Sequence, residues 1–321
     1  MNRSMYSYII KRLAFLLPLA LGVTVVVFLL LNLVHGGPVG ALIGEKPTNT
    51  ETVNNLREKF HLNSPIYMQY YYWISGVAHG DLGTSIFSSM PVSSELKSRI
   101  PLTLSITIPA FLISVGFGIL AGTLAALHRG RKIDRLTVGA TTLMSSSPAF
   151  VVAILALYVL ALKLQLFPIF GTGRGGFKDY FWHLILPISV VSIGPLAFIT
   201  KLTRAAMLQE IKSDHYMFAL ARGLSKVRIV IRYALRNALI PIVTASGLVF
   251  VGLLTGTVFV ESVFGLPGLG GLLVSSIKNS DIPLIQGIVL VVAVWIIFAN
   301  FIIDLLYVAI DPRITFEKGS D

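Results

Sequence analysis

Cysteine is absent from the sequence, which excludes a disulfide, a thiolate metal site and a thiol nucleophile, and leaves the redox compartment unread. Charge is scarce as well. Only 13% of the 321 residues are charged, against about a quarter in ordinary soluble domains. Acidic residues are the scarcer kind, 15 against 26 Lys and Arg, for a net charge of +11. That excess does not indicate nucleic acid, because the cations gather at the ends of apolar runs and not on one soluble face. No Gly-x-x-x-x-Gly-Lys-Ser/Thr loop occurs, so the chain carries no Walker-type ATP site of its own. The histidines (His35, His61, His79, His128, His183 and His215) are scattered without paired ligand spacing, which argues against zinc. No nucleophile–base arrangement is visible. Gly171-x-Gly173-x-x-Gly176 spells a dinucleotide fingerprint but lacks the strand–turn–helix setting that gives the letters their chemistry.

What the chain has in plenty is apolar length, with 55% of residues hydrophobic. Six runs approach the roughly 20 residues needed to cross the hydrocarbon of a bilayer: about Leu13–Leu31, Leu102–Leu127, Val138–Leu162, Leu184–Ile199, Ala238–Val260 and Leu284–Ile310. The first follows Arg3, Lys11 and Arg12 and exceeds the about 7–15 apolar residues of a secretory signal, so it reads as a retained span. Pro187 and Gly194-Pro195 are expected to interrupt the fourth run, while the pairs Gly118/Gly122 and Gly252/Gly256 suit close helix packing. Gly36-Gly37-Pro38 ends the first run. In the polar interval that follows, Leu56–Phe60 and Ile66–Ile74 have helical patterning, and Tyr67, Tyr70, Tyr71, Tyr72 and Trp73 suit a membrane–water interface. Six spans put both ends on one side. Seventeen cations fall on the side of the two ends, including the His128–Arg135 turn, and nine on the other. The inside bias of Lys and Arg therefore places both termini in the cytoplasm. Asp304, near the cytoplasmic end of the last run, reads as an acid bonding a neighbouring helix or reaching the interface, with a proton relay or substrate contact as the other reading.

The segment Thr200–Pro241 organises the rest. It carries Lys201, Arg204, Lys212, Arg222, Lys226, Arg228, Arg232 and Arg236, opposed by Glu210 and Asp214 alone. Ser213 or Asp214 is placed to cap a short helix. Gly223 would end it, since glycine takes the left-handed conformation without steric cost. Ser225 would cap a second helix, with Arg228, Arg232 and Arg236 as a basic stripe and Leu224, Val227, Ile231 and Leu235 as an apolar one. A helix, a bend and a helix on the basic side of a membrane protein read as a docking element. The alternative is a basic linker held near anionic lipid.

The pattern Asp214-x-Tyr216-x-x-Ala219-x-Ala221-x-Gly223-Leu224-Ser225, followed by Ala234-Leu235-Arg236-Asn237 and Pro241, resembles the coupling-loop signature of ABC importer permeases, more narrowly of their peptide/nickel branch. Where the wider superfamily has Glu-Ala-Ala, this chain has Met217-Phe218-Ala219, and Arg236 stands where many members have proline. Three further stretches are similar to the same family: Gly80-Asp81-Leu82-Gly83-Thr84-Ser85, Glu261–Gly270 with Asp281-x-Pro283-x-x-Gln286-Gly287, and Asp304-x-x-Tyr307-x-x-x-Asp311-Pro312-Arg313. The resemblance implies an all-α polytopic protein with six transmembrane helices and the type I ABC importer fold, specifically a first-permease (B-type) subunit of a bacterial or archaeal cytoplasmic membrane. It divides the chain into residues 1–100 (first span and external loop), 101–310 (a five-helix core with the coupling loop at about 201–237) and a tail, 311–321. Asp214, Tyr216, Ala219, Ala221, Arg222, Gly223, Leu224 and Ser225 would seat in a groove of an ATPase subunit. The implied partners are a second homologous permease, two ATP-binding subunits that hold ATP and Mg, an extracytoplasmic solute-binding protein, and lipid. The implied cargo is di- or oligopeptide, with nickel, glutathione and oligosaccharide as the family's other substrates. No residue is assigned to substrate. The rival from another class, a secondary transporter driven by an ion gradient, should carry midplane carboxylates or matched broken helices, and the middle of each run lacks Asp, Glu, Lys and Arg.

Overall fold

The computed structural model describes residues 3–29, 58, 63–173 and 175–310. The Gly36-Gly37-Pro38 break, the Leu56–Phe60 pattern apart from Glu58, and the Asp311–Arg313 ending fall outside them. The described residues are helical, joined by short turns, with one isolated β-bridge between Thr84 and Pro91. The helices are α1 (Arg3–Leu29), α2 (Ile66–Ala78), α3 (Val92–Leu127), α4 (Lys132–Ser146), α5 (Ala149–Ala156, carried on as a π-helix over Leu157–Lys163), α6 (Phe177–Glu210), α7 (Asp214–Ala221), α8 (Lys226–Val263), α9 (Leu269–Lys278) and α10 (Ile282–Ile310).

Four of them, α3, α6, α8 and α10, are long and apolar enough to cross a membrane, and α4 with α5 makes a fifth if the bent pair is one span. In α1 the apolar stretch Ala14–Leu29 is shorter than that. The described residues thus show four to five clear spans and do not by themselves show six.

Three details depart from the sequence reading. The run Val138–Leu162 is not one straight helix, because α4 and α5 meet at 99° across Ser147-Pro148. Proline disfavours helix in the residue before it. The hydroxyls of Thr141, Thr142, Ser145 and Ser146 each donate to a carbonyl four residues back, at 2.7–2.8 Å, a habit that bends helices. Conversely, α6 is not interrupted. It runs unbroken for 34 residues through Pro187 and Pro195. Finally, Lys226 begins no separate docking helix, since α8 continues from there into the fifth apolar run, through a π-turn at Val230–Leu235.

The described chain groups into two compact units. The first comprises residues 1–103 and 267–298. In it α2 lies along α1: Tyr70 Oη meets Thr24 Oγ1 at 2.7 Å, and Phe28 packs edge-on against Tyr70 and tilted against Trp73. Tyr67 and Tyr71 stay exposed. Val92 and Leu96 of α3, Leu269 and Leu272 of α9, and Leu284 and Ile288 of α10 form a common core. Gln286 reaches from α10 to the Val27 carbonyl at 2.8 Å. Two resembling motifs, 196 positions apart, meet here. Asp281 is buried and accepts the Ser85 hydroxyl and the amides of Ile86 and Phe87, while Asp81 accepts the Gly83 amide at 2.9 Å.

The second unit comprises residues 104–266 and 299–321. Here α6 is central, packed against α8, α4 and α5. On α3, Gly118 and Gly122 let that helix approach α6: a Cβ on Gly122 would stand 2.6 Å from the Thr200 carbonyl oxygen. Ser114 donates to the Ser192 carbonyl at 3.2 Å, and Phe111 meets Phe250 edge-on. Asp304 is buried in α10.

Candidate functional site: a braced basic segment

The basic segment expected to dock is built on α6, α7 and the start of α8. α6 ends at Glu210, and a tight turn closes through Ser213 N–H donating to the Glu210 carbonyl at 3.1 Å. Ser213 occupies the N-cap position of α7 in extended geometry, but its hydroxyl donates backward to the same Glu210 carbonyl at 2.6 Å and caps nothing. Ser225, at the N-cap of α8, likewise makes no side-chain cap. Gly223 does take the left-handed conformation, with φ 71° and its amide donating to Leu220 O at 3.0 Å. Open space surrounds its Cα, so the requirement for glycine is one of backbone and not of room.

A polar brace ties the segment's two ends together. Glu210 Oε2 accepts from Asn237 Nδ2 at 3.1 Å and lies 2.9 Å from His215 Nε2. Ser213 Oγ is 3.1 Å from the same imidazole nitrogen. The last turn of α6, the first turn of α7 and the body of α8 therefore share one cluster. Deeper in, Arg204 of α6 donates through Nε and Nη2 to the two carboxylate oxygens of Asp134 at 2.6 and 2.9 Å, and the Gly130 amide donates to the same group at 2.9 Å. That bidentate pair fixes the start of α4 to α6 below the docking segment.

What the segment presents outward differs from the expected set. Asp214, Ala221, Arg222, Gly223 and Ser225 are exposed, and Tyr216 and Leu224 are half-buried. Ala219 is buried, the one inward position of α7. The exposed apolar side chains on α7 are Met217, Phe218 and Leu220, with Phe218 at 70%. The stripe Leu224/Val227/Ile231/Leu235 is not the buried face of α8. Val227 and Ile231 are exposed, and Ile229, Ala234 and Ala238 face inward. The π-turn at Val230–Leu235 takes up one extra residue and shifts the register that a spacing of four assumes. Arg228, Arg232 and Arg236 are all exposed. The result is a short helix with an apolar outer face, set beside a run of cations.

The glycine fingerprint holds no phosphate nest. Asp179 of α6 fills it, its Oδ2 accepting the Gly175 amide at 2.8 Å and lying where a Gly173 Cβ would stand, and a carboxylate there repels an anion. Among the described residues no group of three or more His, Asp and Glu is placed to hold a metal.

Similarity to known proteins shows the family. Residues 118–316 match the family model for the binding-protein-dependent transport system inner membrane component, and residues 5–107 match the model for the N-terminal part of such membrane components. The chain belongs to that family. The probable peptide ABC transporter permease y4tP of Sinorhizobium fredii is 36% identical over 312 residues, covering 96% of this chain and 99% of its own length. The dipeptide permease DppB of Escherichia coli K12 is 34% identical over 339 residues (98% and 100%), and the glutathione permease GsiC of the same strain is 36% identical over 313 (98% and 100%). Such full-length identity places the chain in the peptide/nickel branch, among first permeases of the DppB type. One solved structure, an inward-facing MetNI methionine ABC transporter, superposes at a TM-score of 0.56 with 17% identity, covering 67% of this chain and 96% of that one, which shows a shared importer fold. The protein is thus a multi-pass inner-membrane permease of an ABC importer. It is not itself a catalyst; its family uses no cofactor in the permease and leaves ATP to partner ATPases, alongside a binding protein and a partner permease.

Proposed function

We propose that this permease forms, with a second homologous permease, the membrane pathway of a type I importer for di- or oligopeptides, driven by two ATPase subunits and fed by an extracytoplasmic binding protein. In this reading six spans, the first through α1, leave both termini in the cytoplasm. α7 seats in a groove of the ATPase, with Met217, Phe218 and Leu220 filling apolar space and Arg222 meeting acids at its rim. Asp214, Tyr216, Ala219, Ala221, Gly223, Leu224 and Ser225 position or flank that contact. The observation that carries the substrate is full-length identity of 34–36% to relatives named for peptides and dipeptides. The glutathione permease at 36% points the same way chemically, since glutathione is a small peptide.

The test is uptake by the complete importer, reconstituted in vesicles with its cognate binding protein. Labelled dialanine and trialanine should accumulate with ATP, and glutathione, nickel and an oligosaccharide are the competitors. Accumulation of nickel or sugar with no peptide uptake would replace the substrate while leaving the importer assignment intact.

A further inference from the structure

The bend between α4 and α5 has a consequence in the second unit. Opposite it, the helices leave a cleft of about 160 Å³ lined by Ser145 and Ser147 at the bend, by Val191 and Gly194 of α6, and by Gly252 and Gly256 of α8. Each wall is made by a departure from a plain helix. Ser147-Pro148 breaks the first. On α6, Pro195 has no N–H to give the Val191 carbonyl. On α8, a Cβ at Gly252 would meet nothing within 4 Å, so this glycine packs against no helix and its absent side chain is part of the opening. The sequence pairs Gly118/Gly122 and Gly252/Gly256 look alike, yet both members of the first close a helix contact, whereas in the second Gly256 stands against Val191 and Gly252 alone faces open space.

A cation stands at the edge of this space. Lys201 of α6 donates from Nζ to Ser145 Oγ at 3.1 Å, and it pairs with no carboxylate among the described residues. Arg204, one turn on, is by contrast committed to Asp134. Lys201 lies nine residues before the end of α6, two positions beyond the apolar run Leu184–Ile199, and is exposed. The cleft is also small. A cavity of about 160 Å³ falls short of the about 300–1,000 Å³ of a pocket that buries a drug-sized ligand, enough for one end of a solute and not for a whole oligopeptide.

We propose that this cleft is a substrate subsite that takes the free carboxylate end of a small peptide, with Lys201 as the counter-charge and Ser145, whose own proton goes to the Thr141 carbonyl, holding the ammonium at the rim. Ser147 lies beside them, and the Val191 carbonyl accepts from an amide of the ligand. The inference rests on the peptide reading above and deepens it. An α-carboxylate is common to dipeptides, longer peptides and glutathione, so one subsite serves all three while tolerating any side chain.

The test uses the complete importer in nanodiscs without its binding protein, so that only the membrane subunits select. The chain has no native cysteine, so Ser147→Cys adds its one thiol. The rate of maleimide alkylation of this chain is followed with dialanine, trialanine or their C-terminal amides at millimolar concentration. The free acids should slow alkylation at least threefold, and the amides should have less than half that effect. Lys201→Met should erase the difference between acid and amide, and Lys201→Arg should restore it. Equal protection by acid and amide, or a difference that survives Lys201→Met, overturns the subsite. Peptide uptake, measured separately, keeps the two readings apart. An importer that transports peptide without protection of this thiol refutes the subsite alone, whereas one that transports no peptide refutes both.

Discussion

At the scale of single residues, identical letters do unlike work according to what surrounds them. Gly223 is held at φ 71° with open space around it, so Gly223→Val meets no neighbour and costs on the order of 1–2 kcal/mol in backbone strain. The spans are untouched, so membrane insertion should survive while ATPase association and substrate-stimulated hydrolysis fall together. Normal uptake at normal expression would mean the segment is only a basic linker. Gly122 is the opposite case. Its added Cβ would press on backbone, the Thr200 oxygen at 2.6 Å and the Arg204 nitrogen at 3.0 Å. Those atoms cannot rotate away, so Gly122→Ala should cost on the order of 1–3 kcal/mol through overpacking and lower the yield of folded protein. Gly252→Ala, facing open space, should leave yield unchanged. A thermal-shift comparison of the two variants in detergent checks this, and equal Tm values would contradict the close approach of α3 and α6.

At the scale of elements, the basic segment, its bend and the helical character of the chain were legible, because hydropathy and charge are written locally. What was not legible depends on partners distant in sequence or on side chains competing with the backbone. Nothing near Asp134 announces Arg204, 70 positions on, and nothing near Ser85 announces Asp281. The bend at Ser147-Pro148 was in principle readable, since Thr141, Thr142, Ser145 and Ser146 stand just where hydroxyls can bond back four residues. A hydropathy window averages over such groups. The π-turn in α8 is a register shift that no spacing of four reveals. The Asp134–Arg204 pair yields its own prediction. Asp134 is buried while the Arg204 side chain is 27% exposed, so leaving that guanidinium without its counter-charge costs less than the about 3–5 kcal/mol of a wholly buried pair. Asp134→Asn should therefore sharply reduce the stable protein recovered in membranes. The double change Asp134→Asn with Arg204→Gln, which removes both charges, should recover much of it. A double variant as poor as the single one would show that the loss comes from shape and not from the unpaired guanidinium.

At the scale of the whole molecule, the docking reading depends on which side of the membrane α7 occupies, and α3 supplies a ruler for testing it. Ser94 lies in its first turn and Arg131 in the turn just beyond its end, both exposed. Thirty-seven residues separate them, ~55 Å of helix at 1.5 Å per residue, against a hydrocarbon layer of about 30 Å. If α3 is a span, the two positions must lie on opposite faces. Arg131 is a better probe than Gly130, whose φ of 78° would strain any side chain. The excess of cations on the His128–Arg135 side predicts that Arg131→Cys is shielded in intact cells and labelled in inverted vesicles by an impermeant maleimide, with Ser94→Cys the reverse. Labelling of both from one side would remove α3 as a span. A clean reversal would keep the span and invert the protein, putting α7 and its exposed Phe218 where no ATPase can reach. Only the expected pattern leaves the coupling segment facing the compartment that holds ATP.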